Sequence, residues 1–547
     1  MAHLFRAYKV DGAKIPTYFI ESTAPNNVED PLTPPLVLRP LTLIDPNLAI
    51  EEISLRLSGA ERPNLVVMVH GFNNPQLDVL RLYATASEAI EHDPAISSRA
   101  DLVCVGYRWP SEKMGTPWPS CRAALPTFPT WLGRLGLSLL VLGIIVTLIG
   151  PAWHLLTWID PALHALIPLT TSSWIGCVLS AFGHALAIVG VIAAGLIGCA
   201  ILLRIIVYFR DTYRATNYGG PDLIEIVRQI DQKIIEHDTK RKGEIVEATT
   251  RRDASRVELS FIGHSMGGYV VTNAIRALSD LFAFDAMRPN INTGVVNEEA
   301  PVSRISSKIG HAFQLMRFVL ASPDIPAEAL LSNRANFLAS SLRRFREAYL
   351  FSNEGDEVLR QISTMANYFS FPTASWKFGF RLGNVEILSR GYGVVQVPRD
   401  MISETLRIGY YTLRQIYDLL QRQRGLGNET LQDRLPETFS YFDCTDYTDI
   451  DDKGVTRPLL TFALKLKQTD ATARMSWRQH LSLLWAYCLY QKPNVHGGYF
   501  EGVLSQQLIY RLACLGYQET FNAFGGLPAL SAECERKQIR VLLSPGI

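Results

Sequence analysis

The chain has 547 residues, 53 Lys+Arg against 52 Asp+Glu for a formal net charge of +1, and 48% hydrophobic residues. This length allows roughly two to four domains with a large buried core, and the balanced charge gives no electrostatic reason to expect a nucleic-acid partner. The eight cysteines form no CxxC pair and no Cys/His cluster at zinc spacing, so no metal or other cofactor is expected, and a reducing compartment suits the soluble part.

The N-terminal MAHLFRAYKVDGAKIPTYFIES has no apolar core followed by a small-residue cleavage site, so no signal peptide is expected there. Residues 1–60 read as a strand-rich opening segment, and residues 61–125 as the first part of an α/β core. Within that core, NLVVMVHGF (64–72) and DLVCVGYRWP (101–110) are continuous apolar runs of the kind that strands buried on both faces require. QLDVLRLYATASEAIEHD, between them, has helical apolar spacing.

Residues 131–207 break this pattern. Leu135–Ile159 contains no charged residue, and Pro161–Leu203 has no Asp, Glu, Lys or Arg. Two membrane spans are predicted, at about 135–158 and 174–203, because a span needs about 20 apolar residues. Trp131, Trp153, Trp158, Trp174 and Tyr208 fall near the expected interfaces. Arg122 and Arg134 precede the first span, and Arg204, Arg210 and Arg214 follow the second. Positive charge stays on the cytoplasmic side. Both termini and the soluble part are therefore expected in the cytoplasm, with Asp160 on the far side and the bilayer as a partner.

Residues 211–383 resume the α/β alternation. DLIEIVRQIDQKIIEH (222–237) has helical spacing, RVELSFIG (256–263) reads as a strand, and YVVTNAIRALSDLF reads as a helix. LMRFVLASPDIP (315–326) and EAYLFSNEGDE (347–357) each contain a further strand, while TGVVNEEAPVSRISSKIG (293–310) reads as a surface loop. Such alternation predicts a mostly parallel sheet with helices on both faces. Residues 384–440 read as an insertion, partly helical over SETLRIGYYTLRQIYDLLQRQRG, and residues 441–547 as the C-terminal part of the same domain.

Between the strand at 256–263 and its following helix lies GHSMGG (263–268). The GxSxG pattern decides little by itself, but a strand-to-helix turn is the place where it makes a serine nucleophilic. Gly263 and Gly267 leave room for the strand and helix to approach, and the helix N-terminus suits a developing oxyanion. Ser265 is the candidate nucleophile. VVMVHGFNNP supplies a loop after an earlier strand, so the amides of Phe72 and Met266 are the expected oxyanion donors, and His70 is expected to brace that loop by a side-chain hydrogen bond. An acid and then a histidine should follow in chain order. Asp356 follows a strand in SNEGDEVL, with Asp324 in ASPDIP and Glu354 as alternatives. His496, in the glycine-rich KPNVHGGYF after the strand-like FSYFDCTDY (439–447), is the expected base, whereas His480 lies in helical MSWRQHLSLLWAYCL.

Together VHGFNN (69–74), RWPS (108–111), GHSMGG (263–268), SPD (322–324), SNEGD (352–356), RLG (381–383) and HGGYF (496–500) make the chain resemble the α/β-hydrolase superfamily of serine esterases and lipases. Within that superfamily it is similar to a bacterial group of unknown function carrying these motifs in this order. The resemblance spans residues 60–120 and 210–500. It implies an α/β-hydrolase fold, and Ser265, Asp356 and His496 as the triad; the expected two-helix transmembrane hairpin interrupts that fold after RWPS and departs from the group's pattern. SNEGD has one residue more than the group's pattern, which keeps Glu354 open as the acid. The resemblance implies a serine hydrolase without naming the group's substrates; with the expected membrane hairpin, the expected activity is hydrolysis of carboxylic esters, lipid or lipid-like. The same triad would also serve a thioesterase, amidase or acyltransferase, and a non-catalytic scaffold is the reading from outside enzymology.

Overall fold

The computed structural model describes residues 4–25, 40–112, 205–242, 256–282, 308–326, 341–342, 344–363, 381–385, 394–396, 410–412, 439–450, 454–462, 475, 477–488 and 493–543. Residues 1–113 and 208–547 belong to one unit and Met114–Val207 to another. Both expected membrane spans lie outside the described residues. Among the described residues no helix is long and apolar enough to cross a membrane. Every candidate site residue belongs to the first unit.

This first unit has a mixed α/β architecture organised by one 11-stranded sheet. The strands in chain order are β1 (Phe5–Val10), β2 (Thr17–Ser22), β3 (Leu41–Ile44), β4 (Asn64–Val69), β5 (Leu102–Arg108), β6 (Val257–His264), β7 (Lys308–Ile309), β8 (Phe313–Ala321) and β9 (Glu347–Ser352). They continue with β10 (Val394–Gln396), β11 (Tyr410–Thr412), β12 (Phe439–Asp443), β13 (Thr448–Ile450), β14 (Thr456–Pro458) and β15 (Arg540–Leu542). Across the sheet the order is β15-β12-β9-β8-β6-β4-β5-β2-β1-β3, with β7 beside β8. From β12 to β2 all neighbours are parallel. Within this sheet the antiparallel pairs are β1 with β2 and β3, β15 with β12, and β7 with β8; β10 with β11 and β13 with β14 form two separate antiparallel pairs.

Parallel strands need crossovers long enough to return the chain to its starting edge. Here these are α1 (Pro46–Gly59), α2 (Gln76–His92), α3 (Pro94–Ser97), α4 (Gly220–Lys242) and α5 (Met266–Phe282). Later helices are α6 (Trp477–Cys488), α7 (Val503–Cys514), α8 (Tyr517–Ala523) and α9 (Leu527–Arg536). The period of two along each strand divides the side chains between two layers. Val66, Met68, Cys104, Ile262, Val319, Ala321, Tyr349 and Phe351 share one core with α2 and α7. The intervening Leu65, Val67, Val103, Val105, Phe261, Phe318 and Leu350 are equally buried and face the other layer, where α4 packs on both α1 and α5. Burial on both faces is why β4 and β5 read as unbroken apolar runs rather than as an alternation.

Two expectations change. Tyr410–Thr412, expected within a helix, forms β11 and pairs with β10; two aromatics and a β-branched residue in succession favour a pleated strand once a partner strand is available. Lys308–Ile309, at the end of the expected surface loop, is the short strand β7. The remaining helical expectation for the insertion at 384–440 lies outside the described residues.

Candidate active site

β6 ends at His264 and α5 begins at Met266, so Ser265 alone turns the chain. Its φ is +53°, a left-handed conformation that costs a side-chain-bearing residue about 1–2 kcal/mol. Backbone bonds hold it there. Its N–H donates to the Ala321 carbonyl at 3.0 Å, and its own carbonyl accepts from the Asp324 amide at 3.0 Å and the Gly268 amide at 3.1 Å. The glycines around it are sterically required. A Cβ on Gly267 would stand 2.2 Å from the Val69 carbonyl oxygen, and one on Gly263 would stand 2.7 Å from Gly268 Cα.

Asp356 lies in the turn that follows β9, and His496 in the loop before α7. His496 Nδ1 and Asp356 Oδ2 are 2.7 Å apart. A carboxylate only accepts, so Nδ1 donates to it; in the neutral imidazole Nε2 then presents a lone pair. The carboxylate is completely buried. It accepts further bonds from the Val358 amide at 3.1 Å, the Leu359 amide at 3.2 Å and the Ser322 hydroxyl. Asn353 Nδ2 donates to the Val495 carbonyl at 2.8 Å, and His264 Nε2 donates to the His496 carbonyl at 3.0 Å. The histidine is therefore held through its ring and through the backbone on both sides. Ser265 Oγ and His496 Nε2 are both buried and both lack a hydrogen-bond partner. The structure thus brings His496 to Asp356 but forms no Ser265–His496 bond.

The loop after β4 presses on the same turn. A Cβ on Gly71 would come 2.8 Å from Ser265 Cβ. The Gly71 carbonyl is held by His70 Nδ1 at 2.7 Å and by Asn74 Nδ2 at 3.1 Å. A trans peptide is one rigid plane, so fixing that carbonyl fixes the Phe72 N–H to point the opposite way. Met266 opens α5, where the leading amides have no acceptor within the helix. His70 thus makes the loop-bracing bond expected of it. Trp109 stacks on its ring at 5.2 Å and 3°, and Trp109 Nε1 donates to the His70 carbonyl at 2.9 Å.

The two alternative acids lie elsewhere. Asp324 Oδ1 is 3.0 Å from Arg381 Nε, and its Oδ2 accepts from the Ser363 hydroxyl at 3.0 Å. Glu354 Oε1 accepts from the Met475 amide at 3.3 Å. Neither has a bond to His496; Asp356 does. His480 donates from Nδ1 to Glu357 at 2.5 Å and accepts from Arg360 at 2.8 Å, a separate buried cluster. The RLG motif braces the site: the amides of Leu382 and Gly383 donate to Ile325 and Pro323 at 2.9 and 3.1 Å, and the Gly383 carbonyl accepts from Asn353 at 2.9 Å. Ser322, Asn353 and His264 are supports that the sequence does not point to. Ser322 has φ +45°, and serine composition alone gives no hint of that turn.

Two histidines in the site stay neutral. Burial, then the Arg108 charge, depress the pKa of His70 to about 3. For His264 the causes are enclosure by protein atoms and then the adjacent His496 ring, again bringing the pKa to about 3. Among the described residues no cluster of His, Cys, Asp or Glu could hold a metal ion. No protein-family model, curated protein or solved structure matches the chain.

Gly267→Ala is expected to cost at least about 2 kcal/mol, because the new methyl meets backbone rather than a movable side chain. Urea denaturation checks this, and an unchanged midpoint would contradict so close an approach. His70 gives a pH dependence with a definite sign. Its folded pKa of about 3 lies below the ordinary value of about 6.5, so the unfolded chain binds the extra proton. That stability is complete above about pH 6.5 and is lost as pH falls toward 3, by roughly 1.4 kcal/mol per pH unit. Between about pH 6.5 and 4.5, thermal midpoints of the parent should therefore fall more steeply than those of His70→Gln; parallel slopes would show that His70 is not buried neutral.

Proposed function

We propose that the chain is a serine hydrolase with an α/β-hydrolase fold, acting on carboxylic esters through Ser265, His496 and Asp356. The observation that carries this reading is the 2.7 Å His496–Asp356 bond at the strand ends that also bear a left-handed Ser265. The two unpartnered atoms support it further. A buried hydroxyl and a buried imidazole lone pair without partners cost free energy unless their use comes later. Ser265 Oγ–H and His496 Nε2 are complementary as donor and acceptor.

In the proposed reaction His496 Nε2 takes the Ser265 proton as Oγ attacks the ester carbonyl. The amides of Phe72 and Met266 receive the oxyanion, an effect typically worth about 3–4 kcal/mol for one donor. Asp356 stabilises the imidazolium, which then protonates the leaving alcohol. Water, activated by the same histidine, releases the acid from the acyl-enzyme. Thioester, amide and acyl-transfer chemistry would use the same atoms, and a substrate panel separates them. The apolar segments at 135–158 and 174–203 extend the reading to a membrane-anchored enzyme with a cytoplasmic catalytic part and lipid or lipid-like esters as substrates.

Ser265→Ala and His496→Ala should each lower turnover of a p-nitrophenyl ester at least ~10³-fold, and Asp356→Asn comparably, while each variant stays folded. Ser265→Ala should also abolish labelling by a fluorophosphonate; a parent protein that neither labels nor turns over any ester would leave the scaffold reading standing. Replacing residues 131–207 with a short Gly/Ser linker should preserve hydrolysis of water-soluble esters and remove most activity on liposomal lipids. Equal liposome activity with and without that segment would refute a membrane role in substrate access.

A further inference from the structure

A second buried carboxylate is bonded to the loop beside Ser265. Asp211 is completely buried and lies in the helical stretch 208–214, far from the loop in sequence. Its Oδ2 accepts from the Asn73 amide at 2.8 Å and from the Ser111 hydroxyl at 2.8 Å. Its Oδ1 meets Arg210 Nε at 2.9 Å and Nη2 at 2.8 Å. Ser111 Oγ in turn accepts from the Asn74 amide at 3.1 Å. Asn73 has φ +60°, a left-handed conformation that this acceptor helps to hold. One helical turn earlier, the Tyr208 ring packs edge-on against Phe72 at 5.7 Å, and Phe72 packs against His496 at 6.3 Å.

We propose that Asp211 is the positioning residue of the oxyanion loop, acting through Asn73 and Asn74 to set the direction of the Phe72 amide. The proposal rests on the hydrolase reading above. Phe72 N–H shares its peptide plane with the Gly71 carbonyl, which is held by two donors, His70 Nδ1 and Asn74 Nδ2. Asp211 fixes the chain that carries the second donor, holding Asn73 N–H directly and Asn74 N–H through Ser111 Oγ. Releasing Asp211 leaves the loop in place through the Trp109 and His70 contacts but loosens Asn74, so the plane that carries Phe72 N–H keeps one of its two restraints and can tilt. Misplacing a catalytic group by about 1 Å costs on the order of 10²-fold. The loss should fall on the transition state, where the oxyanion exists, rather than on ester binding.

The test compares full-length parent, Asp211→Asn and Asp231→Asn. Asp231 is also a buried carboxylate holding a loop, through the amides of His311 and Ala312, but it belongs to α4 and holds the turn before β8, at the opposite end of the strands from Ser265. Asp211→Asn should lower kcat for p-nitrophenyl acetate by ~10- to 100-fold with KM within about 3-fold. Its rate of fluorophosphonate labelling should fall in parallel. Hydrogen exchange of peptides covering residues 70–75 should speed up, with α5 unchanged. Asp231→Asn should lower the thermal midpoint and leave kcat unchanged. Should Asp211→Asn not fold, Ser111→Ala removes one partner only and should lower kcat severalfold with KM unchanged. A folded Asp211→Asn with parental kcat and parental exchange at 70–75 overturns the proposal while the parent's activity leaves the hydrolase reading intact; so does Ser111→Ala with parental kcat. A parent without labelling or turnover brings down the hydrolase reading itself.

Discussion

Everything around the site depends on the left-handed turn at Ser265. A side-chain-bearing residue at φ +53° is held against its own preference, and the rest of the sheet edge does the holding. The amide and carbonyl of Ser265 both reach the end of β8 and the turn after it, through Ala321 and Asp324. The helix can start at once only because glycine at 263, 267 and 268 lets strand and helix backbones meet. The turn raises one hydroxyl above the strand ends, and the loops after β4, β8 and β9 are then arranged around that point.

The second level of organisation is a division of labour among buried carboxylates. Asp356, Asp324 and Asp211 are all enclosed, and each has a different set of donors. Asp356 takes a histidine, a serine and two amides. Asp324 takes a serine and forms an ion pair with an arginine. Asp211 takes an amide, a serine and an arginine. Burial costs a carboxylate its hydration, and only a full complement of donors offsets that. The donors therefore decide which acid orients an imidazole and which merely joins two loops.

The sequence makes some of this visible and hides the rest. β4, β5, β6, β8 and β9 are readable because burial on both faces demands unbroken apolar runs. Ser265 is readable because its turn demands glycines at fixed offsets, and His496 because a late glycine-rich loop is where a base can reach back. The sequence puts Asp356 ahead of Asp324 but does not show the physical reason. Both follow a strand in similar local sequence, and what separates them is Arg381, a distant residue that claims Asp324. Asp211 is hidden for the same reason, since 138 residues separate it from the amide it holds. Tyr410–Thr412 shows the converse failure: its local pattern fits a helix, and a pairing with Val394–Gln396 overrides it.

The ion pairs of Glu112 have a consequence for how this architecture can vary. Glu112 Oε2 lies 3.2 Å from Arg210 Nη1 and 3.1 Å from Arg214 Nη1, and its carbonyl accepts from Arg210 Nη2 at 2.7 Å. The chain therefore leaves the α/β unit and rejoins it at a single knot of charge, whose closure does not rely on the polypeptide in between. For a flexible connection, each doubling of the length spliced between two such fixed ends adds only about 0.6 kcal/mol of closure cost. A change in the length of the chain between these ends therefore carries only a small closure cost, and it falls away from the strand order and the turn at Ser265.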